Sequence, residues 1–311
     1  MTDSKNKWDF DSFLVLFSSL IALLLLLSFP SEVSRGVRDG LALCYRAIIP
    51  AVFPFAILAE MIVTADLTPL DKTLGRAVGA PLGVSPIGGR TVLLGFLFGF
   101  PLGAKMVAEL YKQHRLEEEE AERLLFASAL PSPAFLISGV GVSMLGDVRC
   151  GLVLMLISAL SAFAVSMLLP RKRGKAPRTI QEVSLPSISG RSLNLAIAGA
   201  ARSTLTVTAT VTCFSILSAL TARLIRDPVI SKTISAILEL GSGTAGASAL
   251  ILSGVGLGRL LLGFAVSFSG LSVYLQIRAV IADSGLRARW YLPAKLVSGA
   301  ISAALCFFVF G

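Results

Sequence analysis

The chain alternates long apolar runs with short polar connections. A helix needs about 20 consecutive apolar residues to cross the hydrocarbon core of a bilayer. About nine runs approach this length, at residues 13–30, 40–64, 91–111, 124–145, 148–170, 198–225, 229–255, 257–282 and 290–310. The pattern predicts an all-α polytopic membrane protein with about eight or nine hydrophobic segments.

The third run is interrupted. Residues 91–111 read TVLLGFLFGFPLGAKMVAELY, in which Gly99, Pro101 and Gly103 break the apolar stretch and Lys105 follows. Backbone exposed to lipid cannot leave its polar groups unpaired, so a broken span is tolerated only inside protein or beside a water-filled cavity. Secondary transporters build their substrate sites from such broken spans. The pattern therefore predicts a broken or re-entrant segment and favours a transporter.

A basic linker follows the fifth run. Residues 171–191 read RKRGKAPRTIQEVSLPSISGR, with six Lys or Arg against one Glu. Cytoplasmic loops collect positive charge, so this linker is predicted to be cytoplasmic, and Lys5 and Lys7 favour a cytoplasmic N-terminus. If all five preceding segments crossed the membrane, the N-terminus and the linker would lie on opposite sides. Either one segment is re-entrant, with 91–111 the first candidate, or the N-terminus lies outside.

The linker separates two similar halves. An N-terminal region with the first transmembrane helix (1–39) precedes a first repeat (40–170), the linker (171–197) and a second repeat (198–311). Each repeat has a glycine-broken segment, GFPLGA in the first and SGTAGA in the second, and then a span with small and polar residues in its middle. Corresponding breaks in two halves indicate the central site of a transporter.

Glu239 interrupts the seventh run near its middle. A carboxylate at the bilayer centre costs ~3 kcal/mol or more on insertion scales. We expect either a proton- or ion-coupling carboxylate that contacts the solute cavity, or a structural partner for a buried cation or backbone group. A helix break at 241–246 would leave Glu239 just before the break.

The remaining candidates are small or polar residues near the predicted breaks. Backbone amides at half-helix N-termini attract carboxylates, although small residues also serve close helix packing. Lys105 and Arg202 offer cations for an anionic ligand, with snorkelling towards the interface as the alternative for Lys105. The predicted solute-binding residues are Gly99, Pro101, Gly103, Lys105, Ser132, Glu239, Ser242, Gly243, Thr244, Ser269, Ser272 and Gln276.

Composition narrows the function further. Of 311 residues, 54% are hydrophobic and 15% are charged. The net charge of +9 comes from residues scattered over short connections, so we expect no nucleic-acid partner. No enzyme motif is present, and we expect no cofactor and no metal. The acidic run Glu117–Glu120 is expected to be a solvated helix start.

Two stretches carry a family resemblance. Residues 95–125, GFLFGFPLGAKMVAELYKQHRLEEEEAERLL, with the following PSPAFLISGVGVSML, and residues 263–286, GFAVSFSGLSVYLQIRAVIADSGL, resemble the sporulation integral membrane protein YlbJ family, also called stage V sporulation protein V. The broader relatives are Gate, or nucleoside-recognition, domains. The resemblance implies two Gate-like repeats, and Gly99, Pro101, Gly103 and Lys105 match the family block.

The resemblance also implies a function. It implies a multi-pass protein of the outer forespore membrane that moves dipicolinic acid, a small anionic solute, during sporulation. Without a nucleotide site, transport would use a coupling ion or the gradient of the solute itself. The alternatives are a transporter of nucleoside-like or other small solutes, and a non-transporting membrane factor for spore-envelope assembly. The oligomeric state stays open.

Overall fold

The structure, a computed structural model, describes residues 10–63, 68–170 and 190–310. Lys5, Lys7 and residues 171–189 of the predicted cytoplasmic linker lie outside the described residues.

The described residues form helices joined by short turns, and they contain no strand. The all-α prediction is confirmed. The α-helices are α1 (Phe10–Ser28), α2 (Pro30–Leu43), α3 (Ile49–Val63), α4 (Thr68–Leu70), α5 (Arg76–Leu82), α6 (Pro86–Phe98), α7 (Leu102–Lys112), α8 (Glu118–Ala127), α9 (Val148–Leu168), α10 (Gly190–Leu224), α11 (Pro228–Leu238), α12 (Leu240–Leu252), α13 (Leu257–Phe268), α14 (Gly270–Ile281) and α15 (Tyr291–Val309). The other helical stretches are the π-helices Cys44–Ile48, Asp71–Gly75 and Phe135–Met144 and the 3₁₀-helix Ala282–Ser284.

Several of these helices can cross a membrane. Within the described residues, five stretches are long and apolar enough: Pro30–Met61, Val148–Leu168, Leu193–Leu224, Leu257–Ser284 and Tyr291–Val309. The pair Asp71–Leu82 and Pro86–Phe98 adds a sixth if it is one span bent by 94°. The chain is therefore a multi-pass integral membrane protein.

One membrane-spanning helix begins before the apolar run from which it was predicted. The predicted run 40–64 is the second part of a helical stretch that starts at Pro30 and continues through the π-helical turn Cys44–Ile48. Proline is well suited to the first position of a helix because it lacks the amide hydrogen that would be unpaired there. The polar residues of α2 therefore extend the helix beyond the apolar run.

Helix α1 differs from the others in its surroundings. Over residues 16–28 the apolar side chains of this helix are exposed on every side, as the consecutive residues Leu23, Leu24, Leu25 and Leu26 show. A helix that is apolar all round is stable only when protein or lipid surrounds it. The predicted first transmembrane helix thus has the surface of a lipid-facing segment.

Four breaks interrupt the described helices, two in each half. They occur in the same order along both halves. In the first half, residues 99–101 separate α6 from α7, and residues 128–132 separate α8 from the helical stretch that contains the π-helix Phe135–Met144. In the second half, Glu239 separates α11 from α12, and Ser269 separates α13 from α14. An uninterrupted helix closes each half, α9 in the first and α15 in the second. The domain boundaries and the duplication itself stay predictions.

Hydroxyl groups join the two closing helices. Ser302 of α15 donates to Ser161 Oγ of α9 at 2.8 Å, and its oxygen lies 2.5 Å from Ser267 Oγ of α13. All three serines are buried. Helix contacts within a membrane favour small residues and buried hydroxyls, because lipid offers helices no hydrophobic reason to associate.

Candidate functional site: a cavity lined by helix breaks from both halves

The two breaks of the first half lie against each other. Gly99 has a φ of 78°, and a Cβ atom on it would lie 2.9 Å from the Ser132 amide nitrogen. The next residue, Phe100, donates its amide hydrogen to the Leu130 carbonyl at 3.1 Å. Glycine is required at position 99 both for its conformation and for this close approach. The predicted break between Gly99 and Pro101 is present.

The two breaks of the second half are also in contact. Ser269 and Gly270 both have positive φ angles, 68° and 79°. A Cβ atom on Gly270 would lie 2.8 Å from the Glu239 Cα and 2.9 Å from its amide nitrogen. The start of α14 is therefore held directly against the start of α12.

Glu239 is the N-cap of α12. Its backbone is extended, with a φ of −151° and a ψ of 135°, and its side chain is turned back onto the helix. Oε1 accepts from the Gly241 amide at 2.8 Å, and Oε2 accepts from the Ser242 amide at 2.5 Å. The carboxylate is buried and satisfies two amides that no helical carbonyl can reach.

This position corrects the expected location of the third break. The break lies at Glu239 rather than at 241–246, because the glycine-rich residues are helical within α12. Their small size serves packing instead: a Cβ atom on Gly243 would lie 2.5 Å from the Ala236 Cα in α11. At 1.5 Å per residue, α11 and α12 are about 17 and 20 Å long, so neither half spans a ~30 Å core.

A cavity of about 30 Å³ lies where the breaks meet. Its polar lining comes from both halves and includes Ser132, Glu239 and Gln276, and three phenylalanine rings, those of Phe98, Phe100 and Phe135, contribute to its walls. This volume has room for one or two water molecules. A solute the size of an aromatic dicarboxylate needs a wider cavity.

Two of the predicted polar residues have unpaired atoms. Gln276 lines the cavity with 6% of its surface exposed, and its Oε1 has no hydrogen-bond partner among the described residues. Ser272, one turn earlier on α14, is fully buried, and its hydroxyl likewise lacks a partner within the described part of the chain. A buried polar atom without a partner costs ~1–3 kcal/mol, so a bound water or solute that supplies a hydrogen bond is favoured at this place.

The predicted cations lie elsewhere. Lys105 is half exposed, with 53% of its side chain accessible, and its Nζ is 2.7 Å from Glu60 Oε1 on α3. Arg202 is exposed and donates Nε to the Ala198 carbonyl of its own helix at 3.3 Å. Neither side chain contributes to the cavity in this conformation.

The other predicted residues support the helices around the cavity. Gly103 packs on the backbone of Ser128. Thr244 donates its hydroxyl to the Leu240 carbonyl at 2.8 Å, and Ser242 Oγ lies 3.1 Å from Ser215 Oγ of α10. Whether any predicted residue binds solute stays a prediction, but Ser132, Glu239 and Gln276 are the three whose side chains the structure brings together.

Lys295 is a buried cation that the sequence patterns did not indicate. It lies in α15 with no exposed surface, and its Nζ donates to the Ala129 carbonyl at 2.7 Å and to Ser269 Oγ at 3.2 Å. It thereby connects the second break to the fourth. A lone lysine near the start of the last apolar run was the available signal, but snorkelling produces the same pattern.

The acidic run is not a purely solvated helix start. Glu120, at its end, accepts from the Ser85 amide at 2.6 Å. Two residues later, the buried Glu122 accepts from the amides of Arg287, Ala288 and Arg289 at 2.6, 3.1 and 2.6 Å. Helix α8 thus anchors one loop from each half. The expectation was wrong for Glu120 because its partner is far away in the sequence.

The comparisons with known proteins give one relative. The sporulation integral membrane protein YlbJ of Bacillus subtilis (strain 168) is 22% identical over 315 aligned residues, which cover 89% of this chain and 77% of the relative. No family model matches the chain. No solved structure matches it. The Gate-like character of the two repeats stays a prediction.

Proposed function

Because this chain belongs to the YlbJ family of sporulation integral membrane proteins, we propose that it is a secondary transporter of a small anionic solute. The solute that the family resemblance suggests is dipicolinic acid, and the membrane is the outer forespore membrane. The path is the cavity lined by helix breaks from both halves.

One observation carries this proposal. Breaks from both halves of the chain line one cavity that has polar groups in its wall. Non-helical backbone at membrane depth is tolerated where it is buried in protein or lines a cavity, and transporters place their sites where broken helices from two halves meet. A factor that only assembles other components has no need for such a cavity.

The first helical turn of α12 is suited to a carboxylate. In this conformation the amides of Gly241 and Ser242 bind the Glu239 carboxylate. A solute carboxylate is chemically equivalent and is attracted by the same amides and by the helix dipole. Glu239 therefore competes with the solute, and the solute binds when Glu239 is protonated or turns away. Proton coupling follows from this competition.

The cavity walls suit the rest of such a solute. Phe98, Phe100 and Phe135 present apolar aromatic surface, which packs well against a flat aromatic ring. The free Gln276 oxygen accepts a hydrogen bond from a protonated ring nitrogen, a protonated carboxyl or a bridging water. The cavity then widens by movement of the short helices that end at the breaks.

Uptake of labelled dipicolinate into proteoliposomes tests this function. The expected result is uptake above that of protein-free vesicles. Unlabelled dipicolinate should abolish this uptake, and uridine should leave it unchanged. Competition by uridine would favour a nucleoside-like solute. Correctly inserted protein that transports neither compound would contradict the proposal and favour a non-transporting membrane factor.

A further inference from the structure

Two helix C-termini point towards the same place inside the protein. Helix α8 ends at Ala127 and α13 ends at Phe268, and both are followed by a break. The last carbonyl groups of a helix lack intrahelical partners and carry a partial negative charge of about half an elementary charge. Two such ends close together within a membrane need a positive group between them.

Lys295 supplies this group. Its Nζ donates to the Ala129 carbonyl, two residues beyond α8, at 2.7 Å. It also donates to Ser269 Oγ at 3.2 Å, and Ser269 in turn donates to the Val266 carbonyl in the last turn of α13 at 3.3 Å. The ammonium therefore reaches the end of α8 through a carbonyl and the end of α13 through the Ser269 hydroxyl.

The ammonium has no carboxylate partner among the described residues. Its other neighbours are the aromatic faces of Phe126 and Tyr291, whose ring centroids lie 5.9 and 5.6 Å from Nζ. The nearby buried carboxylates bind elsewhere: Glu122 binds the amides of 287–289, and Glu239 caps α12. Among the described residues, the partners of the Lys295 ammonium are one carbonyl, one hydroxyl and two aromatic rings.

This arrangement has the ligands of an alkali-cation site. Unwound carbonyls and half-helix C-termini are the groups with which secondary transporters coordinate a coupling cation. Here a lysine side chain occupies that position. We propose that the Lys295 ammonium is a built-in cation that replaces a coupling sodium ion and holds the two broken spans together.

The consequence for transport rests on the proposed function. A fixed cation leaves this position unable to exchange sodium, so uptake is expected to proceed equally in sodium and in choline buffers. Coupling then falls to the proton that Glu239 binds. The role of Lys295 in holding the two broken spans together is tested by the stability of the folded protein, without a transport assay.

The first test compares Lys295→Met with Lys112→Met, an exposed lysine of α7. Methionine nearly matches lysine in length and is favoured in apolar surroundings. If the charge were merely tolerated, Lys295→Met would be at least as stable as wild type. A built-in cation predicts that the thermal unfolding midpoint in detergent falls by several degrees, with Lys112→Met unchanged. A Lys295→Met midpoint at or above that of wild type would overturn the proposal.

The second test asks whether sodium can replace the lost ammonium. Lys295→Ala removes the charge and leaves space at the carbonyl groups. We expect sodium chloride to raise its unfolding midpoint above that in choline chloride, whereas wild type shows no difference between the salts. Equal midpoints for Lys295→Ala in the two salts, no folded protein in either, or a sodium-dependent wild type would each contradict the proposal. If wild type failed to take up dipicolinate while sodium still stabilised Lys295→Ala, only the transport function would be rejected.

Discussion

Gly270 lies directly against Glu239, such that a Cβ atom on Gly270 would be 2.8 Å from the Glu239 Cα. Gly270 is the first residue of α14, directly after the break at Ser269, and its contact with Glu239 fixes the start of α12 relative to the start of α14. Since the Glu239 carboxylate caps α12 and lines the cavity, this contact of two backbones also sets the position of the carboxylate.

Replacing Gly270 by alanine should therefore disturb the site beyond the strain at a positive φ. Gly254 is a matched control, because its φ is 78° and a Cβ atom there meets nothing within 4 Å. Strain at such a position costs about 1 kcal/mol. We expect Gly270→Ala to lose both thermal stability and uptake, and Gly254→Ala to lose only a little stability. Equal effects in the two variants would show that the contact with Glu239 is unimportant.

Glu239→Gln tests the competition between the carboxylate and the solute. Glutamine can cap α12 through its side-chain oxygen but cannot exchange a proton at neutral pH. We expect uptake to fall by about tenfold or more, which corresponds to ~1.4 kcal/mol, and to stop responding to an imposed proton gradient. Glu118→Gln, at an exposed position of α8, is the control and should behave as wild type. A Glu239→Gln protein with the wild-type rate and gradient response would leave Glu239 a structural cap only.

Gln276→Leu separates solute recognition from folding. The variant removes a buried oxygen that has no partner among the described residues, so stability should stay the same or rise. Binding should weaken, because the solute loses a hydrogen-bond partner in the cavity. Isothermal titration with dipicolinate, beside thermal unfolding, measures both effects, with the exposed Gln113→Leu as control. Unchanged affinity would place the solute elsewhere.

Glu122 should matter for stability alone. Its carboxylate accepts three backbone hydrogen bonds from residues 287–289, and hydrogen bonds to charged groups each contribute ~1.5–3 kcal/mol. Glu122→Gln is expected to lower the thermal unfolding midpoint by several degrees, whereas dipicolinate affinity per folded molecule is retained. A midpoint equal to that of the exposed Glu118→Gln control would refute this anchoring role.

The sequence predicted those features that depend on local chemistry. Apolar runs of sufficient length predicted an all-α membrane protein, and the Gly-Phe-Pro pattern predicted the break after α6. Gly99 needs a positive φ and leaves no room for a Cβ atom, so its chemistry indicates its conformation. Glu239 was identified because a carboxylate in an apolar run is costly, whereas Ser132 and Gln276 were identified as polar residues near the predicted breaks.

The missed features depend on contacts between distant residues. Lys295 resembles any lysine near a helix end, and only the packing of α8 and α13 shows that it is enclosed. Glu120 and Glu122 belong to an acidic segment whose partners lie at Ser85 and at residues 287–289. The third break lies before the glycines because the Glu239 side chain provides a cap, which glycine content alone does not reveal.

Labelling of a cysteine at position 132 tests most directly whether the solute passes between the breaks. Ser132 lines the cavity, and Ser132→Cys is a near-isosteric change. The background replaces Cys44, Cys150, Cys213 and Cys306 by alanine, and Ser143→Cys at an exposed position is the control. If the solute passes between the breaks, a small methanethiosulfonate reagent will abolish dipicolinate uptake by the Ser132→Cys protein, and dipicolinate will slow the labelling reaction. Labelled Ser143→Cys protein will remain active. Full uptake by protein quantitatively labelled at position 132 would contradict passage of the solute between the breaks.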